Sequence, residues 1–168
     1  GAVRGYRLAA DQGDADAQYN LGVRYDNGRG VPQDDKEAVR WYRLAADQEN
    51  ARAQYNLGVA YANGEGVPQD DKEAVRWYRL AADQENARAQ YNLGVAYANG
   101  EGVTHDDGEA VRWCRLPADQ EEADAQYNLG VRYANGRGVP DDDDAAVQAA
   151  RRVSSTGKHT SQHNTLVP

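Results

Sequence analysis

The chain has 168 residues, of which 40% are hydrophobic, and its formal net charge is −8 at pH 7. Its basic residues are interspersed with a larger number of acidic ones, so we expect no general binding to nucleic acid, although a local basic strip fits this composition. No apolar run approaches the ~20 residues of a membrane helix, so we expect no membrane insertion, and the single cysteine, Cys114, excludes an intrachain disulfide and indicates no cellular location.

An internal repeat organises the chain. Residues 30–67 recur letter for letter at 66–103, an offset of 36. Such a repeat predicts a stacked array in which each unit is stabilised by its neighbours. The predicted organisation is a partial unit at 1–13, repeats at 14–49, 50–85 and 86–121, a degenerate repeat at 122–153, and a disordered tail at 154–168.

The first half of each unit has the pattern of an amphipathic helix. In the first complete unit, Ala17, Leu21 and Tyr25 fall at i, i+4 and i+8, which predicts a helix of roughly 12–14 residues. Asn27–Gly28 is a strong signal for its end. Gly22, in the middle, costs about 1 kcal/mol relative to alanine, so we expect a partner helix to approach too closely there for a side chain.

The second half of the unit predicts another helix. Asp34 is placed to cap its start, and Glu37, three residues later, is placed to complete a capping-box-like pair. The apolar stripe of this helix follows the spacing i, i+3, i+4, i+7 at Ala38, Trp41, Tyr42 and Ala45. The short connections force the two helices to lie antiparallel, so each unit is a helical hairpin.

Neither helix can bury its apolar stripe alone, so the hairpins are expected to stack. Trp41, Trp77 and Trp113 are predicted to fill the joints between successive hairpins. The third second-half helix, at 106–118, is expected to be the least regular because it contains Gly108 and Pro117.

The repeated pattern resembles the Sel1-like repeat, a relative of the tetratricopeptide repeat. The resemblance covers nearly all of residues 1–150. It implies an all-α fold, a right-handed α/α superhelical solenoid of antiparallel hairpins that serves as an adaptor and recruits protein partners on the concave surface lined by the first helices. In the first complete unit the pattern is met at Ala17, Leu21, Gly22, Tyr25, Gly28, Gly30, Val31, Asp34, Ala38, Trp41, Tyr42, Ala45 and Ala46.

The sequence departs from that family's usual pattern in one turn. The glycine commonly found after the second helix is present as Gly13, but Glu49, Glu85 and Glu121 replace it in the later units. Without this glycine, the sequence does not establish how tightly those turns close.

The candidate binding surface is the face of the first helices beside their buried stripe. Asparagines that recur there offer donors and acceptors to an extended peptide, and arginines offer charge to acidic side chains. The alternative is that these are solvated polar positions copied along with the repeat. The candidate partner-binding residues are Asn20, Arg24, Arg52, Asn56, Arg88, Asn92, Asn128 and Arg132.

Other residues capable of chemistry do not form a convincing site. His159 and His163 lack a third metal ligand, and Asp141–Asp144 lacks the glycine and terminal glutamate of a calcium loop. No serine precedes Ser154, so the array contains no nucleophile constellation. We expect no metal, no cofactor and no catalysis.

The sequence therefore favours a non-catalytic scaffold that binds a protein or peptide, in an oligomeric state that it does not indicate. The alternative is a fragment of a larger protein, whose repeats flank a catalytic or signalling domain.

Overall fold

The computed structural model describes residues 1–116, which form α-helices joined by short turns, without a strand in this range. Each helix packs against the next one in chain order, which confirms the predicted all-α solenoid. The predictions for Pro117, Glu121, Asn128, Arg132, the repeat at 122–153 and the tail at 154–168 lie outside the described residues. The helices are α1 (Ala2–Asp11), α2 (Ala15–Asn27), α3 (Asp35–Asp47), α4 (Ala51–Asn63), α5 (Asp71–Asp83), α6 (Ala87–Asn99) and α7 (Asp107–Arg115).

The first helix of each complete hairpin has defined ends. At the start of α2, the Asp14 carboxylate accepts a hydrogen bond from the Ala17 amide at 2.9 Å, and asparagines do the same for α4 and α6. At the end of α2, Gly28 adopts the left-handed conformation, with φ of 68°, as do the equivalent glycines of α4 and α6. The predicted length and ending of these helices are confirmed.

The second helix begins at the predicted cap, but the capping box is incomplete. The Asp34 carboxylate accepts from the amides of Lys36 and Glu37, at 3.1 and 3.2 Å. The returning bond from Glu37 does not form, because the Asp34 amide already donates to the Tyr25 carbonyl at 2.9 Å. Glu37 instead accepts from Arg40 at 2.9 Å. This part of the prediction was wrong because a contact with the preceding helix uses the amide.

The tryptophans lie at the joints between hairpins, as predicted. Trp41 of α3 packs in one cluster with Ala10 of α1 and Leu21 of α2. Trp77 of α5 joins the cluster formed by residues of α2, α3 and α4. Both rings are almost completely buried. Because each ring covers apolar surface of the preceding hairpin, burial of about 150–250 Å² per ring stabilises the stack as a whole.

The turns after α3 and α5 close as tightly as the one that contains glycine. Glu49 and Glu85 adopt the left-handed conformation, each with φ of 66°, at the position where Gly13 has φ of 95°. In every case the next residue donates its amide to a carbonyl at 3.1 Å, as Asn50 does to Ala45. The glutamates therefore keep the turn at the cost of a conformation that disfavours a Cβ.

Candidate partner-binding face

The candidate site lies on one side of α2, α4 and α6, and we call it the first-helix face. Within residues 1–116 it consists of the predicted asparagines and arginines, Asn20, Arg24, Arg52, Asn56, Arg88 and Asn92. Asn92 of α6 donates to the Tyr55 hydroxyl of α4 at 3.4 Å, which places successive first helices side by side. This bond joins the first helices of two adjacent hairpins.

The asparagines are more deeply placed than the sequence suggested. Asn56 and Asn92 are each 3% exposed, and Asn20 is half-buried. The predicted ladder and the alternative of solvated positions both place these amides at the surface, whereas the amides of Asn56 and Asn92 lie beneath it. The physical reason is that each amide is covered by tyrosines of the preceding hairpin, which sequence periodicity within one helix does not reveal.

Asn56 is the least satisfied polar group of this region. Its amide lies beside the hydroxyls of Tyr19 and Tyr42. Burial raises the pKa of both phenols, and the neighbouring Asn56 amide makes that rise smaller. Neither its nitrogen nor its oxygen makes a hydrogen bond of ordinary geometry with a described residue. Tyr42 donates its hydroxyl proton elsewhere, to Asp26 at 2.9 Å. Buried amides are nearly always bonded, so this one marks a polar spot beneath the face.

Arg52 and Arg88 supply positive charge at the surface of the face. Arg52 is exposed and Arg88 is half-buried. Burial raises the pKa of Tyr19, the charges of Arg52 and Arg88 oppose that rise, and the charge of Asp26 adds to it. Burial likewise raises the pKa of Tyr55. The charge of Arg88 and hydrogen bonds from Asn92 and Arg88 lower the pKa of Tyr55 and partly offset this rise.

These two arginines differ from those of the second helices. Arg40 and Arg76 each pair with a glutamate one turn earlier, at 2.9 and 2.8 Å. Arg52 and Arg88 form no ion pair with any residue in the described range. Apart from them, α4 and α6 contain no charged residue. α4 and α6 thus carry positive charge alone, whereas α2 has Asp16 at the position equivalent to Arg52 and Arg88.

Arg24 occupies a different environment. Its guanidinium lies over the ring of Tyr6 in α1, 5.6 Å from the ring centre. The equivalent positions in the next two hairpins are the buried alanines Ala60 and Ala96. Arg24 is consequently not part of a repeated row, and it stabilises the contact between α1 and α2.

A glutamine network was missed by the sequence reasoning. Gln54, 3% exposed, donates to the Ala46 carbonyl at 3.3 Å and accepts from Gln84 at 2.9 Å. Gln18 and Gln48 repeat the arrangement one hairpin earlier. The recurrence of glutamine at these positions in every unit was the available signal, but glutamine is more often a surface residue.

A second recurring contact joins neighbouring hairpins. An arginine of one second helix donates to the hydroxyl of a tyrosine on the next first helix, in the pairs Arg7–Tyr25, Arg43–Tyr61 and Arg79–Tyr97. The same guanidiniums lie 5.6 to 5.8 Å from the ring centres. These arginines are structural and are unavailable for a partner.

Two further searches bear on function. No group of three or more His, Cys, Asp or Glu side chains within residues 1–116 is arranged to hold a metal ion. None of the helices in that range has both the length and the apolar character needed to cross a membrane.

Comparison with known proteins identifies the repeat. The family model described as Sel1 repeat matches residues 6–14, 15–50, 51–86, 87–121 and 123–148. Among solved structures, the chain is similar to a Sel1 repeat protein from Oxalobacter formigenes, with 36% identity and a TM-score of 0.73. That match covers 98% of this chain and 67% of the other.

A second solved structure is similar over most of the chain. It is a protective antigen present in uropathogenic Escherichia coli strains that displays an SLR fold. The identity is 40%, the TM-score is 0.75, and the match covers 93% of this chain. The chain spans only 33% of the length of that protein. A search of curated proteins gives no significant match.

Proposed function

The chain belongs to the Sel1 repeat family, whose repeats are generally protein-interaction modules, and we propose that it is a non-catalytic scaffold that binds a protein or peptide on its first-helix face. Sel1 repeat proteins typically serve as non-catalytic scaffolds, and this supports the part of the proposal that assigns no catalysis to the chain.

The link between the first helices of adjacent hairpins is the observation that carries the proposal. Asn92 reaches Tyr55 across the joint between two hairpins, and Asn56 stands in the equivalent place beside Tyr19. These contacts are buried, and above them α4 and α6 carry Arg52 and Arg88 at equivalent positions. An extended segment laid across α4 and α6 would meet one arginine on each helix.

The second helices support the proposal by contrast. The charged arginines of α3 and α5 are already paired with glutamates of the same helix. The first-helix face retains Arg52 and Arg88 without such pairs among the described residues. In this proposal the arginines contact the partner directly, while Asn92 holds Tyr55 in place beneath them.

The predicted alternative function is also a proposal. The chain spans a third of the E. coli relative and 67% of the Oxalobacter relative, so the parent protein could carry a further domain beside the repeats. In that case the array would position a catalytic or signalling domain. The complete reading frame of the gene distinguishes this alternative.

A peptide selection followed by cross-linking tests the binding face. Random peptides displayed on phage are selected on the intact chain, and the tightest binder is resynthesised with a photoreactive benzophenone. After irradiation, mass spectrometry locates the attachment sites. We expect attachment to α2, α4 and α6. Attachment confined to α3 and α5, for example near the exposed Leu44 and Leu80, would overturn the proposal.

A further inference from the structure

We infer that the first-helix face recognises carboxylates, and that its partner is an acidic peptide segment whose Asp or Glu side chains pair with Arg52 and Arg88. The inference rests on the proposed function, because it names the chemistry of the partner for the same face.

The first step is the distribution of charge. The chain has 27 acidic and 19 basic residues, so a site with positive charge alone is unexpected. Nevertheless α4 and α6 each contain one arginine and no acid, and neither arginine is neutralised within residues 1–116. An acidic protein repels an acidic peptide overall, so such a peptide would bind only where a local basic site overcomes that repulsion.

The second step is the proximity of the two arginines. Arg52 and Arg88 are the second residues of α4 and α6 in successive hairpins, and Asn92 of α6 donates to the Tyr55 hydroxyl of α4 at 3.4 Å. The two arginines are therefore neighbours on one surface although they belong to successive hairpins. A guanidinium presents two parallel N–H groups that match the two oxygens of a carboxylate, which makes arginine the preferred partner of this anion.

The third step is the polar group beneath the arginines. The Asn56 amide is nine-tenths buried or more, and its two polar atoms make no ordinary hydrogen bond with a described residue. It lies beside the Tyr19 hydroxyl, which is itself close to Arg52. Among the described residues, Asn56 is thus an unpartnered polar group beneath the arginines, which marks this part of the face as polar.

The spacing of charge favours carboxylates over phosphate. α4 and α6 each contribute one guanidinium, whereas α2 has Asp16 at the equivalent position. The two arginines correspond to one singly charged carboxylate for each of these two hairpins along an extended partner. A phosphate carries more charge at one point and is best held where several donors converge. The proposed partner is consequently a segment with successive acidic side chains.

Fluorescence anisotropy with a labelled oligoglutamate peptide tests this inference on the full chain. We expect oligoglutamate to bind and oligoglutamine of the same length to bind at least about tenfold more weakly, because two charge-assisted pairs are lost. Raising the salt concentration should weaken the binding, since the pairs are partly exposed.

Charge-neutral and charge-retaining variants provide the controls. Arg52→Gln with Arg88→Gln should weaken oligoglutamate binding at least about tenfold, whereas Arg52→Lys with Arg88→Lys should restore most of it. Arg40→Gln with Arg76→Gln removes the same number of charges from the second helices and should leave the affinity within about twofold. Circular dichroism and thermal melting establish that each variant is folded.

Three results would overturn the inference. The first is an absence of oligoglutamate binding, and the second is an equal loss in both pairs of glutamine variants. The third is displacement of oligoglutamate by inorganic phosphate at the peptide's own concentration, which would indicate a phosphate site. If neutral selected peptides still cross-link to α4 and α6, only the acidic partner fails. If cross-linking also fails there, the proposed function fails with it.

Discussion

Gly58 of α4 lies against the ring of Tyr78 in α5, so closely that a Cβ built on Gly58 would be 2.7 Å from both Cδ1 and Cε1. The carbonyl of Ala74 would be 3.2 Å away from the same Cβ. Gly22 and Tyr42 repeat this relationship in the preceding hairpin. The contact explains why glycine occupies the middle of a helix, where it is otherwise unfavourable, and it confirms the predicted close approach.

Gly58→Ala should destabilise the chain. Alanine favours the helix by about 1 kcal/mol, but overpacking a buried contact costs about 1–3 kcal/mol, and neither backbone nor a buried ring can move away easily. We expect a net loss in the free energy of unfolding, measured by urea denaturation, and a larger loss for Gly58→Leu.

Gly5→Ala is the matched control for that substitution. Gly5 also lies within a helix, α1, but a Cβ built there meets nothing within 4 Å. This variant should be stabilised by about 0.5–1 kcal/mol. If Gly58→Ala were stabilised to the same extent, the close approach would have no energetic role.

Glu49→Gly should stabilise the turn after α3. Glu49 has φ of 66°, a conformation that costs a residue with a Cβ about 1–2 kcal/mol, while glycine loses about 0.5–1 kcal/mol through the entropy of the unfolded chain. We expect a net gain of about 0.5–1 kcal/mol in urea denaturation. Glu65→Gly, at an exposed loop position without left-handed backbone, should give no gain. Equal gains in the two variants would show that the left-handed backbone of Glu49 is not the source of the effect.

Gln54→Ala should remove a hydrogen-bond junction between hairpins. The substitution deprives the Ala46 carbonyl of its donor and Gln84 of its acceptor, and should cost about 1–3 kcal/mol in unfolding free energy. Gln69→Ala serves as control, because Gln69 is exposed in the loop before α5 and bonds to Asp71 at the start of that helix. Its effect should stay within about 0.5 kcal/mol. A similar small effect at both positions would contradict a structural role for the network.

Alkaline pH should destabilise the array through its buried tyrosines. Burial raises the pKa of Tyr42, Tyr55 and Tyr78 above the ordinary value of 10.0. Above pH 10.0 the unfolded phenols ionise while the folded ones stay protonated, so the unfolded state binds fewer protons and becomes favoured. The contribution of these tyrosines should be constant below that pH, and stability should then fall by up to about 1.4 kcal/mol per pH unit for each of them.

Tyr78→Phe identifies the origin of this pH dependence. The variant keeps the ring against Gly58 but has no phenol to ionise, so its stability should decline less steeply above pH 10.0 than that of the parent chain. Urea denaturation at a series of pH values gives both slopes. Identical slopes would mean that the phenol at position 78 makes no contribution.

The sequence predicted those features that depend on one hairpin. Periodicity and turn residues located the helices, Gly28 and Asp34 marked their ends, and Gly22 indicated the close approach. Trp41 was also placed correctly, because a large apolar side chain on a two-helix unit must be covered by a neighbour. These conclusions need only local spacing and the fact of repetition.

Features that arise between hairpins were harder to predict. The burial of Asn56 depends on Tyr19 and Tyr42, which belong to the preceding hairpin, and the role of Gln54 depends on the Ala46 carbonyl, which also belongs to the preceding hairpin. Polar residues beside an apolar stripe look solvated when one helix is considered alone. Glu49 likewise gave no sign that it would retain a conformation typical of glycine.

An NMR titration of the intact chain with the tightest selected peptide tests the partner-binding face most directly. The side-chain signals of Arg52, Arg88, Asn56 and Asn92 should shift on addition of the peptide, while those of Arg40 and Arg76 on the second helices should remain in place. Shifts confined to Arg40, Arg76 and their neighbours, with the first-helix signals unchanged, would contradict the proposed binding face.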